Sequence, residues 1–353
     1  MCIRDRGYAA QQPRRHADPL GLLLFAFDGT RHSPATQSNI WKMSQAYRDG
    51  PVFYHSGPGN SLYLDWDAIT AGRAAQIIEN QWQSLLNTLS RTGSANDTIP
   101  IDIIGFSRGA ALARHFGNLI NQHTAGGLFS YADTLRGHIS ACIDLRFMGL
   151  FDTVAQFGPA GLQRPNFDLT IAQGWQWVAH AVALHERRWI FPLTLAADAD
   201  GHNIVEAPFI GAHADIGGGA LRAADGQAGT RGDLSDVALN WMLWQAGAAS
   251  VQFQPLPASD QEITQPILHD ERSALLRSAQ DGDRRVDTAG GSIRHAYQDD
   301  HPLLGRDARA RTEALIERHE NWRSSAGSEV GMVDMAGYAQ WLHDELGWRP
   351  LAA

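Results

Sequence analysis

Ser107 is the residue whose surroundings in the sequence best suit a nucleophile. It lies in Gly105-Phe-Ser-Arg-Gly109, a G-x-S-x-G pattern that follows an apolar, β-branched run at 99–104. Such a pattern between a strand and a helix is typical of a nucleophile elbow, a sharp turn whose glycines avoid steric clashes. The first amides of the following helix would face a developing oxyanion. The sequence therefore predicts acyl-transfer chemistry at Ser107, and a purely structural serine turn is the alternative.

A serine nucleophile needs a base, and the base needs an acid that orients it. Asp152 and His213 each follow an apolar run, so both are expected at the carboxyl ends of strands, in the chain order of doubly wound hydrolases. His269 also follows an apolar pair late in the chain and is the second candidate for the base. Asp215 could orient His213, cap the next turn, or replace Asp152 as the acid.

The first predicted strand ends in Asp28-Gly-Thr30, which could contribute to an oxyanion hole. The amide of Gly29 or Thr30 would form one half, and the amide of Arg108 the other. An aspartyl-nucleophile phosphatase is a rival interpretation, but Ala26 stands at its nucleophile position, so no phosphoenzyme could form. Asp28 could equally bind the following loop in an Asx turn.

Asp28, Asp152, His213 and Asp215 are expected near one edge of the sheet, where they could also bind a hard metal ion. The sequence contains no H-E-x-x-H motif and no paired cysteines that would support such a site. We therefore predict neither a metal nor another cofactor.

Strands and helices alternate from residue 20 to about residue 250, which predicts an α/β fold. We expect an α/β-hydrolase-like, doubly wound, mostly parallel sheet with helices on both faces, followed by a helical C-terminal segment. The predicted strands are 22–27, 51–59, 99–104, 145–151, 189–195 and 207–211, and the predicted helices are 68–89, 110–121, 171–184, 233–246, 307–323 and 335–346. Three segments result: a disordered or foreign N-terminal segment (1–19), a catalytic domain (20–275), and a helical C-terminal extension or lid (276–353).

Length and charge exclude some classes of partner. A chain of 353 residues can form one large α/β domain with an appendage. The net charge is −9, and no long basic block is present, so nucleic acid is not expected as a partner. No apolar run approaches the roughly 20 residues that span a bilayer, so any membrane contact is expected to be peripheral.

Five motifs occur in order along the chain. They are Phe27-Asp-Gly-Thr30, Gly105-Phe-Ser-Arg-Gly-Ala-Ala111, Gly149-Leu-Phe-Asp-Thr-Val154, His180-Ala with Glu186 and Arg187, and Gly211-x-His-x-Asp-Ile-Gly-Gly218. Over about residues 20–275 the chain resembles the catalytic domain of phospholipase effectors of bacterial type VI secretion, and the related family of uncharacterised α/β hydrolases. The resemblance implies esterase action on glycerophospholipids by Ser107, Asp152 and His213, without a metal.

The resemblance also implies partners and a location. Such effectors act on lipid, associate with the secretion apparatus, and are neutralised at home by an immunity protein. The chain would lie in the bacterial cytoplasm of the producing cell and be delivered to the periplasm of a target cell. The predicted activity is a serine esterase or lipase of phospholipase A type that releases fatty acid through an acyl-enzyme. The alternatives are an esterase of non-phospholipid esters and a catalytically silent hydrolase fold that serves as a binding module.

Overall fold

A mostly parallel sheet lies at the centre of the computed structural model. The structure describes residues 22–30, 32–58, 68–92, 98–156, 167–196, 203–219, 232–272, 283–287, 293–296, 303–320 and 329–349. The predicted N-terminal segment, residues 1–19, lies outside these residues. The strands are β1 (Leu23–Phe27), β2 (Val52–His55), β3 (Ile99–Phe106), β4 (Thr124–Ala125), β5 (Leu128–Asp133), β6 (Gly137–Phe151), β7 (Trp177–Ala183), β8 (Leu193–Thr194), β9 (Ile204–Phe209), β10 (Ile267–His269), β11 (Arg285–Asp287), β12 (Ile293–His295), β13 (Ile316–Arg318) and β14 (Glu329–Val333).

The strand order creates a switch point beside β3. Within the described residues, the parallel strands run in the order β2-β1-β3-β6-β7-β9. The chain goes outward from β1 to β2 and then returns to the other side of β1 as β3. Loops that leave the carboxyl ends of β1 and β3 therefore diverge and open a crevice, which is where ligands bind in open α/β sheets. The hairpin of β4 and β5 pairs antiparallel with the first half of β6.

Helices cover both faces of this sheet. They are α1 (Asn39–Ala46), α2 (Ala68–Arg91), α3 (Arg108–Gln122), α4 (His213–Gly217), α5 (Ser235–Ala248), α6 (Arg306–Ala314) and α7 (Met335–Leu346). Alternate side chains of β1 enter opposite cores: Leu23 and Phe25 pack with α2 and α3, whereas Leu24 and Ala26 pack with α1 and α5. The predicted doubly wound α/β fold is confirmed. Among the described helices, none is long and apolar enough to cross a bilayer.

The region before the base differs from its predicted secondary structure. The segment 171–184, predicted as a helix, contains the strand β7, and the strand predicted at 189–195 is reduced to β8. The strand β7 pairs in parallel with both β6 and β9, and six of its seven residues are buried. A strand covered on both faces lacks a polar alternation, so its apolar run cannot be distinguished from a buried helix by periodicity.

The described residues after 275 contain strands as well as helices. The helix predicted at 307–323 ends at residue 314, and residues 316–318 instead form β13, which pairs with β14; the helix predicted at 335–346 is confirmed. The strand β11 pairs in parallel with β8, and β14 lies between β10 and β13. Tyr338 and Trp341 of α7 are buried in the core that also contains α5, and the Tyr338 hydroxyl accepts a hydrogen bond from the Ile210 amide at 2.8 Å. These contacts join the described C-terminal residues to the sheet, while the division at residue 275 stays a prediction.

Candidate active site

Ser107 occupies a strained turn between β3 and α3. Its backbone has φ 59° and ψ −127°, a conformation that non-glycine residues rarely adopt. The end of β6 and the loop after it hold this turn, because the Ser107 amide donates to the Phe151 carbonyl at 3.0 Å and the Val154 amide donates to the Ser107 carbonyl at 3.2 Å. Ser107 therefore lies at the carboxyl end of β3, beside the switch point.

The glycines that flank Ser107 allow close approach of the backbone. A Cβ atom at Gly105 would lie 2.7 Å from the Ala110 Cα, and one at Gly109 would lie 2.2 Å from the Phe27 carbonyl oxygen. Neither contact can be relieved by a side-chain movement, since both involve backbone atoms. The two glycines of the motif thus let α3 begin directly against β1 and β3.

Asp152 and His213 form a buried hydrogen-bonded pair at the same edge of the sheet. Nδ1 of His213 donates to Oδ2 of Asp152 at 2.6 Å. The amide of Ala183 donates to Oδ1 of Asp152 at 2.9 Å, and Arg284 donates to both carboxylate oxygens, at 3.0 and 2.7 Å. Although burial opposes the charged form, Arg284 and His213 hold the pKa of Asp152 well below its usual range. Asp152 is therefore a carboxylate that fixes the imidazole.

Aromatic rings orient the His213 imidazole. The ring of Phe106, the residue before Ser107, lies 4.7 Å from the imidazole between centroids, and the ring of Phe191 lies 5.2 Å from it. Because Nδ1 is engaged by Asp152, Nε2 is the ring nitrogen that can accept a proton. The arrangement suits a general base that acts through Nε2.

Two carboxylates, of the buried Glu186 and the partly buried Glu271, cap the helix α4, which carries His213. The His213 amide donates to Glu186 at 3.3 Å, and the Ala214 amide donates to Glu271 at 2.6 Å. The guanidinium of Arg188 bridges both carboxylates. Burial opposes ionisation of Glu186, but Arg188 lowers its pKa to about 2. This ion-pair network holds the start of α4, and hence His213, in place.

Asp215 of α4 and His269 at the end of β10 form a second hydrogen-bonded pair. Nδ1 of His269 lies 2.5 Å from Oδ1 of Asp215, while Oδ2 of Asp215 accepts hydrogen bonds from the amides of His269 and Ala212, each at 3.0 Å. The structure thus places Asp215 on His269 rather than on the His213 imidazole. Of the two candidate bases, His213 is the one bound to Asp152.

Asp28 organises the loop after β1. Its carboxyl group accepts hydrogen bonds from the Tyr54 hydroxyl at 2.6 Å, the Ser38 hydroxyl at 2.7 Å and the Gly29 amide at 2.7 Å. Burial raises the pKa of Asp28 to about 6, although these three hydrogen bonds oppose that rise. The side chain therefore acts as an acceptor that shapes the loop, but its backbone partner is the next residue rather than the residue two positions on that an Asx turn requires.

Thr30 and Arg108 connect the two loops that flank Ser107. The Arg108 guanidinium donates to the Thr30 hydroxyl at 2.9 Å and to the Gln156 carbonyl at 2.7 Å. The Gly29 amide already donates to Asp28. The predicted oxyanion donors therefore narrow to the amides of Thr30 and Arg108, of which the latter belongs to the first turn of α3.

Metal-binding groups do not cluster in the part of the chain that the structure describes. No group of three or more His, Cys, Asp or Glu side chains there could hold a metal ion. The acidic and histidine residues predicted near this edge are instead joined pairwise, as Asp152 with His213 and as Asp215 with His269. The prediction that no metal is needed stays a prediction.

A family model matches the part of the chain that builds this site. The family is described as T6SS, Phospholipase effector Tle1-like, catalytic domain, and it matches residues 22–134 and 128–245. The chain belongs to this family. Membership confirms the resemblance given by the five motifs and places the Tle1-like chain among hydrolases. Among curated proteins, nothing matches it.

Several solved structures are similar to this chain at low sequence identity. An uncharacterised protein from Pseudomonas aeruginosa is 20% identical, with a TM-score of 0.44, over 68% of the Tle1-like chain and 47% of its own. The Tle1 effector bound to the VgrG spike of the type 6 secretion system is 19% identical, with a TM-score of 0.48. The match covers 73% of the Tle1-like chain and 77% of the effector chain. A protein described as a hydrolase of the α/β superfamily, from Xanthomonas campestris pv. campestris, is 15% identical, with a TM-score of 0.30. The match covers 64% of the Tle1-like chain and 98% of that protein. The Tle1-like chain thus spans about half of the first of these proteins.

Three residues of the site were missed by the sequence analysis. Arg284 contacts the acid, Glu271 contacts the helix of the base, and Arg188 joins Glu271 to Glu186, but none of the three belongs to the five motifs. Only Arg188 had a signal, since it follows Glu186 and Arg187. Arg284 and Glu271 lie beyond residue 245, where the family match ends.

Proposed function

We propose that the Tle1-like chain is a serine ester hydrolase of phospholipase A type, which releases fatty acid from glycerophospholipids through an acyl-enzyme. The observation that carries the proposal is the 2.6 Å hydrogen bond between His213 and Asp152. The imidazole also packs on the ring of Phe106, the residue that precedes Ser107 in the chain. An acid-oriented base at the same sheet edge as a strained serine is the arrangement that nucleophilic acyl transfer requires.

The first half of the reaction forms the acyl-enzyme. Oγ of Ser107 attacks the ester carbonyl carbon while Nε2 of His213 takes its proton, and Asp152 stabilises the resulting imidazolium. The carbonyl oxygen becomes an oxyanion, which the amides of Thr30 and Arg108 stabilise. The C–O bond to the leaving alcohol then breaks, and the imidazolium returns the proton to that oxygen. In the second half, water takes the place of the alcohol, so the fatty acid leaves and Ser107 is restored.

The surroundings of the site support a lipid substrate. Phe191, whose ring contacts His213, carries the Arg188 guanidinium 3.8 Å above its centroid. Between these two residues Trp189 exposes 41% of its surface. Arg188 is engaged by Glu186 and Glu271, whereas Arg187 before it is exposed. An exposed aromatic side chain near an exposed arginine is suited to the region of lipid headgroups, where rings and cations are both stabilised. We propose that the chain meets lipid peripherally through this segment, which we term the 187–191 rim.

Family membership suggests the partners and the location that we propose. We propose that the chain is an antibacterial effector, made in the cytoplasm of a producing bacterium and delivered to the periplasm of a target cell. A component of the secretion apparatus and an immunity protein would be its partners, in line with the Tle1 effector that is bound to a VgrG spike. Two alternatives remain: an esterase of non-phospholipid esters, and a silent binding module.

The proposal is tested with purified protein and vesicles of phosphatidylglycerol and phosphatidylethanolamine with different acids at the two positions. Released acids are identified by mass spectrometry for the wild type and Ser107→Ala, beside short-chain nitrophenyl esters. Serine-dependent release of one acid supports a phospholipase A and identifies the bond. Cleavage of nitrophenyl esters alone favours the general esterase, and folded protein without either activity favours the binding module.

A further inference from the structure

Arg284 reaches the acid of the proposed triad from outside the family match. It precedes β11, the strand that pairs with β8, and its side chain is buried. Its Nη1 and Nη2 atoms donate to the two oxygens of Asp152 at 3.0 and 2.7 Å, and its Nε donates to the Phe191 carbonyl at 2.6 Å. A bidentate guanidinium–carboxylate pair fixes both the plane and the charge of the carboxylate.

One oxygen of Asp152 is shared between the arginine and the base. Oδ2 accepts from Nη2 of Arg284 and also from Nδ1 of His213, at 2.7 and 2.6 Å. The guanidinium and the imidazole therefore contact the same carboxylate oxygen, and they compete for its negative charge. A cation so close to a base disfavours the protonated form of that base.

The charge around the His213 imidazole depends on Arg284, because the other charged groups nearby are mostly carboxylates. Besides Asp152, the carboxylates of Glu186 and Glu271 contact the start of α4, and Arg188 bridges these two. Asp215, on the same helix, is paired with His269 instead. Apart from that pair, three carboxylates face two guanidiniums. Without Arg284 the three carboxylates would face one guanidinium, and the imidazolium would be stabilised more strongly.

We propose that Arg284 is a positioning residue of this site, which fixes the Asp152 carboxylate and limits how tightly His213 holds the proton during turnover. The proposal rests on the proposed serine esterase function. It makes the segment after residue 275 part of the active site, in addition to any covering role. Arg284 acts through Asp152 and need not touch the substrate.

The test compares full-length variants by the pH dependence of kcat/KM on a short-chain nitrophenyl ester. Arg284→Gln removes the charge, whereas Arg284→Lys keeps it but cannot donate in the bidentate geometry. Arg285→Gln is the matched control, because Arg285 is the next residue and pairs with Asp287 instead of Asp152. Thermal unfolding of each variant verifies the fold.

We expect the acid limb of the Arg284→Gln profile to move upward by about one pH unit, since a neighbouring charge shifts a pKa by 1–3 units and this one acts through a shared carboxylate. Arg284→Lys should keep the acid limb near its wild-type position but lose about tenfold or more in kcat, because the carboxylate is less well oriented. Arg285→Gln should match the wild type in both. A folded Arg284→Gln with an unshifted acid limb would overturn the proposal, and so would Arg284→Lys with wild-type kcat if the Gln variant does not fold.

A readout without turnover separates this inference from the proposed function. The His213 imidazole can be titrated by nuclear magnetic resonance in a Ser107→Ala background, with His213→Gln assigning its signal. An upward shift of the His213 pKa on adding Arg284→Gln supports the role of Arg284 even if no ester is hydrolysed. Ester hydrolysis that survives in Ser107→Ala would refute the proposed function instead.

Discussion

Replacing Gly217 with alanine should disconnect the base from the nucleophile. Gly217 ends α4, the helix that begins with His213, and a Cβ atom there would lie 2.1, 2.2 and 2.3 Å from three ring carbons of Phe106. That ring is fully buried, and it is held between His213 at 4.7 Å and His32 at 5.2 Å. It cannot swing aside, so α4 must move away from β3 by about 1 Å to restore ordinary contact.

The expected magnitude follows from this displacement. A misplacement of 1 Å in a catalytic group costs about 10²-fold in rate, and overpacking of a buried site costs about 1–3 kcal/mol of the free energy of unfolding. We therefore expect Gly217→Ala to lose about 10²-fold in kcat/KM on a nitrophenyl ester while it remains folded at 25 °C. Gly247→Ala is the matched control, because a Cβ atom added there, in α5, would have no neighbour within 4 Å beyond its own helix turn. Wild-type kcat/KM in a folded Gly217→Ala would refute the argument that Phe106 sets the position of α4.

Three further predictions test other parts of the site. Asp152→Asn should lose about 10³–10⁴-fold in kcat, because the amide no longer stabilises the imidazolium; a loss below tenfold on the same ester would contradict the assigned acid. Burial raises the pKa of Asp28 to about 6 from 3.8, so the native state binds more protons than the unfolded state between these values. The free energy of unfolding should therefore fall by about 2 kcal/mol as the pH rises from 4 to 7. Urea unfolding should show this fall in the wild type relative to Asp28→Asn, and a pH-independent difference would exclude it. Trp189→Ala should reduce the rate of vesicle hydrolysis about tenfold but leave hydrolysis of short-chain esters unaffected, because a large apolar side chain contributes about 1.5–3 kcal/mol when buried in lipid. The control is Trp244→Ala on α5, where Trp244 is 50% exposed, and it should change neither rate. Equal effects of the two substitutions would argue against the 187–191 rim.

The placement of Ser107, Asp152 and His213 at one edge of the sheet could be predicted because it follows from a local rule. Each comes soon after a buried strand, and the carboxyl ends of neighbouring parallel strands meet at one edge of the sheet. The rule also indicated the Asp28 loop, which follows β1. It could not decide between His213 and His269 as the base. That choice depends on side-chain directions around α4, where Asp215 and Asp152 each bind a different imidazole.

Arg284 and Glu271 could not be predicted because their roles depend on contacts between distant segments. Arg284 meets Asp152 only because β11 pairs with β8, and neither of these short strands has a clear pattern in the sequence. The strand β7 was missed for a different reason. Its residues are buried on both faces, so the apolar run carries no period that separates a strand from a helix.

The most direct test of the account is covalent labelling with a fluorophosphonate, followed by mass spectrometry of the proteolysed protein. The account predicts a single phosphonylated residue, Ser107, with no adduct in Ser107→Ala and strongly slowed labelling in His213→Gln. Thermal unfolding confirms that each variant is folded. An adduct on another serine, or folded wild-type protein that takes up no label, would contradict the claim that Ser107 is a nucleophile activated by His213.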